Sequence, residues 1–354
     1  MNYLGVDFHK NYSTATIVNP KGKVLRKLKL YNDKGSFVEL LKPYEQEICA
    51  VVEACRNWHV AVDLLDGLVK EITLAHPLKV RAIAEAKIKT DSIDSETLAQ
   101  LLRADLIPQA YLRDTSNQKE QRVLHTRSFY VKLRTQIKNR IHYIIDAQGQ
   151  EEITEGAKGF SDLFGKRGVE WLRSLELCEP DNKLLKNLLE THEVICQKIG
   201  ETEWRIKEIM AKYRDCQLLK TIPGIGDFLS VLIKTEIGEI GRFRTSSHLC
   251  SYAGLVSSTY SSGGKSRNGR ITKQGNKWLR WAMVEAVVPG INSSGELRNY
   301  YEKIKVRKGS KVAKVATARR LLCIVYRVLK EKDSFKVYKK EIRNKFSGAA
   351  FRKI

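Results

Sequence analysis

Four acidic side chains in the N-terminal part of the chain, Asp7, Glu53, Asp91 and Asp94, have the types and setting of a metal-dependent phosphoryl-transfer site. Asp7 stands inside an apolar strand pattern in which Leu4, Val6 and Phe8 alternate with Gly5 and Asp7. A carboxylate there is expensive to bury unless something pairs with it, and a metal ion is the commonest partner that also performs chemistry. Glu53 follows directly on the apolar run from Ile48 to Val52, and Asp91 and Asp94 open a helical pattern continued by Leu98, Leu101 and Leu102. Residues three apart on a helix project from one face. Acidic oxygens drawn from separate elements can hold two divalent cations about 4 Å apart, which activate a nucleophile and stabilise a leaving oxygen. Taken singly the residues have plainer readings. Asp91 can cap its helix with Asp94 completing a capping box, and Glu53 can be a solvated strand end. Asp7 is the hardest to dismiss.

A second chemically suggestive stretch lies far downstream. Ser251-Tyr252-Ala253-Gly254-Leu255-Val256 leads into a Ser/Gly-rich run from Ser257 to Arg270, and a helix is predicted from Ile271 to Arg280. On residue types alone the run is a flexible basic loop. Lys265, Arg267, Arg270, Lys273, Lys277 and Arg280 surround it and suit a nucleic-acid backbone. Upstream, Gly224 and Gly226 make a turn before a helix, where free N–H groups can meet a phosphate; a plain interhelical turn fits the same residues. His248, the histidine nearest the serines, reads as structural.

The elements that must carry these residues follow from periodicity and turn signals. Tyr3 to Val18 reads as a hairpin turning at His9 to Ser13, and Val24 to Leu30 adds a third strand after Asn19-Pro20-Lys21-Gly22. A short helix from Gly35 to Leu41, a strand from Glu47 to Val52, a helix from Trp58 to Val69 and a strand from Glu71 to Ala75 complete a mixed sheet with helices on both faces. Two long amphipathic patterns, Asn117 to Ala147 and Asp181 to Tyr213, can pair as an antiparallel coiled coil within or between chains. The first carries a basic face. Lys311 to Leu329 is a further amphipathic helix before a basic tail. The expected fold is α/β plus α, divided at 1–112, 113–215 and 216–354.

Composition narrows the partners. Lys and Arg number 63 against 40 Asp and Glu, a net charge of +23, which points to a polyanion. The seven cysteines are scattered, odd in number and without C-x-x-C spacing, so they read as thiols of a reducing cytosol and argue against a disulfide frame or a zinc site. No signal peptide or membrane span is expected.

The set Asp7, Glu53, Asp91 and Asp94 resembles the DEDD tetrad of the insertion-sequence-110 transposases and the related Piv-type DNA invertases. Lys89-Thr90-Asp91-Ser92-Ile93-Asp94-Ser95 is similar to that family's Lys-Thr-Asp-x-x-Asp-Ala, with Ser95 in place of alanine. Ala-Gly-Leu-Val, the Ser-Gly step and Ile-Thr-Lys-x-Gly-Asn-x-x-Leu-Arg look like its second block, departing at Ser257 where proline is usual. The resemblance implies a RuvC-like, ribonuclease-H-type first domain holding Mg²⁺ or Mn²⁺ on the four carboxylates. It also implies a serine nucleophile, placed at Ser262 by the Ser-Gly step with Ser261 as the alternative, acting with the acidic residues as one composite site. It further implies a helical segment that joins protomers into a dimer or tetramer, donor and target DNA as substrates, a structured bridge RNA as guide, and a place in the bacterial cytoplasm at the nucleoid. The alternative is a RuvC-like nuclease or junction resolvase in which water attacks and Ser262 only contacts phosphate. An actin-like or sugar-kinase ATPase also begins with a Gly-Asp hairpin, but its second Asp-x-Gly phosphate loop is missing here.

Overall fold

The structure, a computed structural model, describes residues 1–44, 47–84, 90–112, 114–149, 151–262 and 265–335, with the side chains of 115, 151 and 260–268 outside that description. Two compact units are present, Met1–Thr115 and Ser116–Ile354. The fold is mixed α/β, with a mixed five-stranded sheet in the first unit and a helical second unit.

In the first unit, strands β1 (Asn2–Phe8), β2 (Tyr12–Val18) and β3 (Val24–Tyr31) form an antiparallel meander. Helix α1 (Lys34–Leu41), strand β4 (Ile48–Glu53), helix α2 (Trp58–Leu65), strand β5 (Glu71–Ala75) and helices α3 (Pro77–Ile83) and α4 (Asp91–Arg103) follow. The sheet order is β3-β2-β1-β4-β5, with β4 parallel to both β1 and β5. The period-two pattern of β1 sorts its side chains between two layers. Leu4, Val6 and Phe8 join Phe37, Leu40, Ala61 and Leu65 in one core beneath α1 and α2. On the opposite face α4 crosses β1, β2 and β4, where Val51 packs with Leu98. Helices thus cover both faces, and α2 stops at Leu65, a turn earlier than the pattern suggested.

In the second unit, α5 (Thr115–Ala147), α6 (Glu151–Lys158), α7 (Lys166–Ser174) and α8 (Asp181–Lys212) come first. The two long patterns pair antiparallel within the chain. Leu124 packs with Ile206 and Ile209, and Ile141, Ile144 and Ile145 pack with Leu185 and Leu189. Arg127 Nη2 donates to Glu203 Oε1 at 2.6 Å near one end, and Gln148 Nε2 to Asp181 Oδ2 at 2.9 Å near the other. Helices α9 (Arg214–Lys220), α10 (Asp227–Ile237) and α11 (Ser246–Tyr252) lead to strands β6 (Ser257–Ser262) and β7 (Lys265–Ile271). Helices α12 (Lys277–Glu285), α13 (Val287–Ser293), α14 (Gly295–Lys308) and α15 (Ser310–Glu331) complete the unit. Leu321, Leu322 and Val325 of α15 are fully buried in this core. No described helix is long and apolar enough to cross a membrane.

Two expectations are corrected. The Ser/Gly run is an antiparallel hairpin from Ser257 to Ile271, and the helix predicted to begin at Ile271 starts at Lys277. Backbone pairing between two polar strands needs no apolar alternation, so periodicity carried no sign of them. Asp91 is not the cap of α4: Thr90 is, its Oγ1 accepting from Ile93 N–H at 3.3 Å, so both aspartates belong to the first turn itself.

Candidate active site

Asp7 and Glu53 stand at the C-terminal ends of adjacent parallel strands, one residue beyond the last paired positions, Val6 and Val52. They share alternation with Gly5 and Val51, so both belong to the face that α4 covers. Gly5 is the reason α4 lies so close. A Cβ on Gly5 would be 2.0 Å from the Ser95 carbonyl oxygen and 2.6 Å from the Ala99 nitrogen, so only glycine allows this approach. One turn farther along, the same crossing sets Asp91 and Asp94 beside Asp7. Ser95, the departure from the family's alanine, is buried and bonded through Oγ to Thr16 Oγ1 at 2.8 Å, so β2 supplies the partner that the extra hydroxyl needs.

Asp7 is 15% exposed and His9 Nε2 lies 3.1 Å from its Oδ2. The same nitrogen is 3.3 Å from Asp91 Oδ2, and Tyr12 Oη donates to that oxygen at 2.9 Å. Burial, joined by the charges of Asp91 and Asp94, pushes the Asp7 carboxyl above the ordinary carboxylate range, against the pull of His9. The charge of Glu53 bears, with that of Asp7, on the Cys55 thiol, whose pKa burial chiefly raises. Carboxylates repelling one another in a half-buried niche are the donor set that a divalent cation satisfies. Ligand atoms of Asp7, His9 and Asp91 all lie within 4.8 Å of one another, so these residues fit a metal ion. Beside Asp91 a recess of about 740 Å³ is walled by Thr14, Lys27, Lys29, Thr90 and Ser92. Lys29 is held there with Nζ 3.4 Å from the Tyr12 ring centroid. His9 and Tyr12 are absent from the sequence-based set because a turn histidine and a strand tyrosine carry no spacing signal.

The hairpin of the second unit is clamped at its neck. Thr272 N–H donates to Val256 O at 2.9 Å and Asn276 N–H to Tyr252 O at 2.7 Å. Gly254 (φ +67°) and Gly275 (φ +105°) adopt left-handed conformations in which a Cβ would meet Gln274 O at 2.4 Å and Tyr252 O at 2.2 Å respectively. Asn276 caps α12 with Oδ1 and donates through Nδ2 to Glu236 Oε2 at 2.6 Å. Glu236 is 1% exposed, and its Oε1 also accepts from Gln121 Nε2 at 2.7 Å and contacts His125 Nε2 at 3.0 Å. His125 stacks on Trp278 with centroids 4.0 Å apart. No spacing or motif in the sequence marks this buried carboxylate, and only the fold shows the donors gathered around it.

The remaining predicted residues are more dispersed. Arg270, Lys273 and Lys277 are exposed around the hairpin, whereas Arg280 is tied inward, Nη1 donating to Ala253 O at 2.9 Å. The side chains of Ser261, Ser262, Lys265 and Arg267 lie outside the described residues; their backbones pair Ser261 with Ser266, Ser262 with Lys265 and Tyr260 with Arg267. Lys89 also lies outside them. Gly224 (φ +89°) faces the core, where a Cβ would meet Ala286 O at 2.2 Å, while Gly226 is open and caps α10. Asp227 follows it at the first helical position and pairs with Lys220.

Residues 4–148 match the family DEDD_Tnp_IS110, described as a transposase, and residues 216–302 match the Transposase IS116/IS110/IS902 family. The transposase for insertion sequence element IS1111A of Coxiella burnetii is 24% identical over 343 residues, covering 94% of this chain and 91% of that protein. The transposase for IS1328 of Yersinia enterocolitica is 26% identical over 287 residues, 78% of this chain and 81% of the relative. The pilin gene-inverting protein of Moraxella lacunata is 23% identical across 94% of this chain and 97% of its own length. The two matched segments take in the acidic niche and the clamped hairpin, and the chain belongs to the IS110/IS116/IS902 family of transposases, enzymes that cleave and rejoin DNA.

Proposed function

We propose that this transposase breaks and rejoins DNA strands with a serine nucleophile, Ser262, and a divalent cation, Mg²⁺ or Mn²⁺, held by Asp7, Glu53, Asp91 and Asp94 in a RuvC-like domain spanning 1–112. The observation that carries the reading is the seating of α4 on Gly5, which brings three carboxylates from two elements into one half-buried niche. A cation bound there supplies Lewis-acid stabilisation of the attacking and leaving oxygens. Tyr12 orients Asp91 by donating to it, and Lys29 and Lys27 line the recess through which a phosphate backbone reaches the carboxylates. The Ser262 oxygen bonds to phosphorus as the bond to the leaving nucleoside oxygen breaks, and that oxygen takes up a proton. The resulting phosphoserine keeps the phosphodiester energy for rejoining, when a DNA hydroxyl displaces the serine. The neck built from Gly254, Gly275, Asn276 and Glu236 supports this role because a nucleophile must be aimed to a fraction of an ångström.

The segment 113–215 is the helical part through which protomers associate as a dimer or tetramer, and 216–354 is the domain that presents the serine. The charge of +23 exceeds what one DNA contact surface needs, which supports a structured guide RNA as a second polyanion beside donor and target DNA. Arg270, Lys273 and Lys277 offer exposed cations for these backbones.

Replacing Ser262 with alanine tests the chemistry. Loss of a covalent protein–DNA adduct on a denaturing gel, together with loss of strand exchange, supports the serine reading. Cleavage retained without an adduct favours the water-attack nuclease, and an adduct lost only in Ser261→Ala moves the role to Ser261. Sequencing RNA that copurifies under mild conditions tests the guide; a preparation carrying no specific RNA sinks that part and leaves the recombinase standing.

A further inference from the structure

We propose that His9 is itself a ligand of the cation in the acidic niche, giving the site one imidazole nitrogen among its carboxylate oxygens and a stronger preference for Mn²⁺ over Mg²⁺ than oxygens alone would confer. The inference rests on reading the niche as a metal centre and adds a residue outside the four carboxylates. His9 sits in the turn between β1 and β2, and that turn is pinned. His9 N–H donates to Tyr12 O at 3.0 Å, and Asn32 Nδ2 donates to His9 O at 2.8 Å. The ring packs on Tyr12 with centroids 4.9 Å apart. The two backbone bonds hold the turn and the Tyr12 ring flanks the imidazole, which is 38% exposed and brings Nε2 to two carboxylates.

The spacing is that of ligands on one ion. Two donors at right angles on bonds of about 2.1 Å lie about 3.0 Å apart. His9 Nε2 is 3.1 Å from Asp7 Oδ2 and 3.3 Å from Asp91 Oδ2. Tyr12 already donates to Asp91 Oδ2, so the tyrosine steadies the carboxylate beside which His9 presents its Nε2. Imidazole nitrogen favours first-row transition ions, whereas carboxylate and water suit Mg²⁺ equally well. The same geometry also describes a histidine serving only as a charge partner for two aspartates, and metal spectroscopy separates the two roles.

The experiment uses the full-length protein loaded with Mn²⁺. Electron spin-echo spectroscopy should show modulation from a directly bound nitrogen in the wild type and none in His9→Asn. In titrations, His9→Asn should lose about tenfold or more in Mn²⁺ affinity, with a smaller loss for Mg²⁺, and circular dichroism should show the fold intact. Bound Mn²⁺ without nitrogen modulation, or a His9→Asn protein that binds both ions as tightly as the wild type, overturns the role of His9 and leaves the carboxylate site in place. A wild-type protein that binds no Mn²⁺ at all overturns both readings.

Discussion

Gly5→Ala is the sharpest test of how the niche is built. The new Cβ would sit 2.0 Å from Ser95 O and 2.6 Å from Ala99 N, both backbone atoms of α4 that no side-chain rotation can move away. Ordinary contact starts at 3.4 Å, so α4 must retreat by more than about 1 Å or the sheet must bend. Overpacking of this kind costs about 3 kcal/mol, the upper part of its usual range. For a unit of this size that lowers the melting temperature by about 10 °C. Retreat of α4 also carries Asp91 and Asp94 away from Asp7, and a 1 Å misplacement costs about 100-fold in rate.

The matched control is Gly200→Ala. Gly200 lies within α8, and a methyl added there would have no neighbour within 4 Å, so the substitution should leave activity unchanged and raise helix stability by about 0.5–1 kcal/mol. The assays are thermal melting, hydrogen exchange across α4 and cleavage of a labelled DNA substrate. A Gly5→Ala protein with wild-type melting, α4 protection and cleavage would refute the claim that this glycine seats the helix.

Asp7→Asn should melt above the wild type at neutral pH in chelator. The folded-state pKa of Asp7 is raised, so its favourable contribution is present below the ordinary carboxylate value and is lost as pH rises through the raised one. The gap should close toward acid, and added Mg²⁺ should stabilise the wild type but not the variant; a lower melting temperature for Asp7→Asn in chelator counts against the argument. Glu236→Ala strips the partner from Gln121, His125 and Asn276, and should destabilise the second unit by about 3 kcal/mol, read as a lower melting transition. Ser95→Ala restores the family's residue and leaves Thr16 without its side-chain partner, so it should cost about 1 kcal/mol and keep cleavage; a lost activity would mean that the serine does more than pack.

The first unit was legible because its physics is periodic. Leu4, Val6 and Phe8 had to face a core, and the isolated Asp7 between them marked the other face. Asp91 and Asp94 were readable as a pair for the same reason, although Thr90 and Asp91 are both good caps and residue type alone does not choose between them; in the fold Thr90 is extended and takes the capping position. His9 was silent because a turn residue has no period. The strands from Ser257 to Ser262 and from Lys265 to Ile271 were silent because their backbones pair in a run of serine, glycine and basic residues that has no apolar alternation to read. Glu236 was silent because its role is created by Gln121, His125 and Asn276, which arrive from other segments of the chain.

Both units hold their chemically important segments by the same physical means, a close backbone approach that glycine permits and a buried polar contact that fixes its register. In the first unit Gly5 admits α4, and the Thr16–Ser95 bond sets where along the sheet it rests. In the second, Gly254 and Gly275 bring the two sides of the hairpin neck together, and Glu236 locks Asn276 where α12 begins. Much of the motif Ala-Gly-Leu-Val and Gly-Asn is therefore steric and hydrogen-bonding in purpose, not chemical. Substitution at the neck should behave as a loss of aim. A Gly275→Ala protein whose hairpin is displaced should retain metal binding at the acidic niche while losing strand cleavage, because the carboxylates are assembled entirely within residues of the first unit.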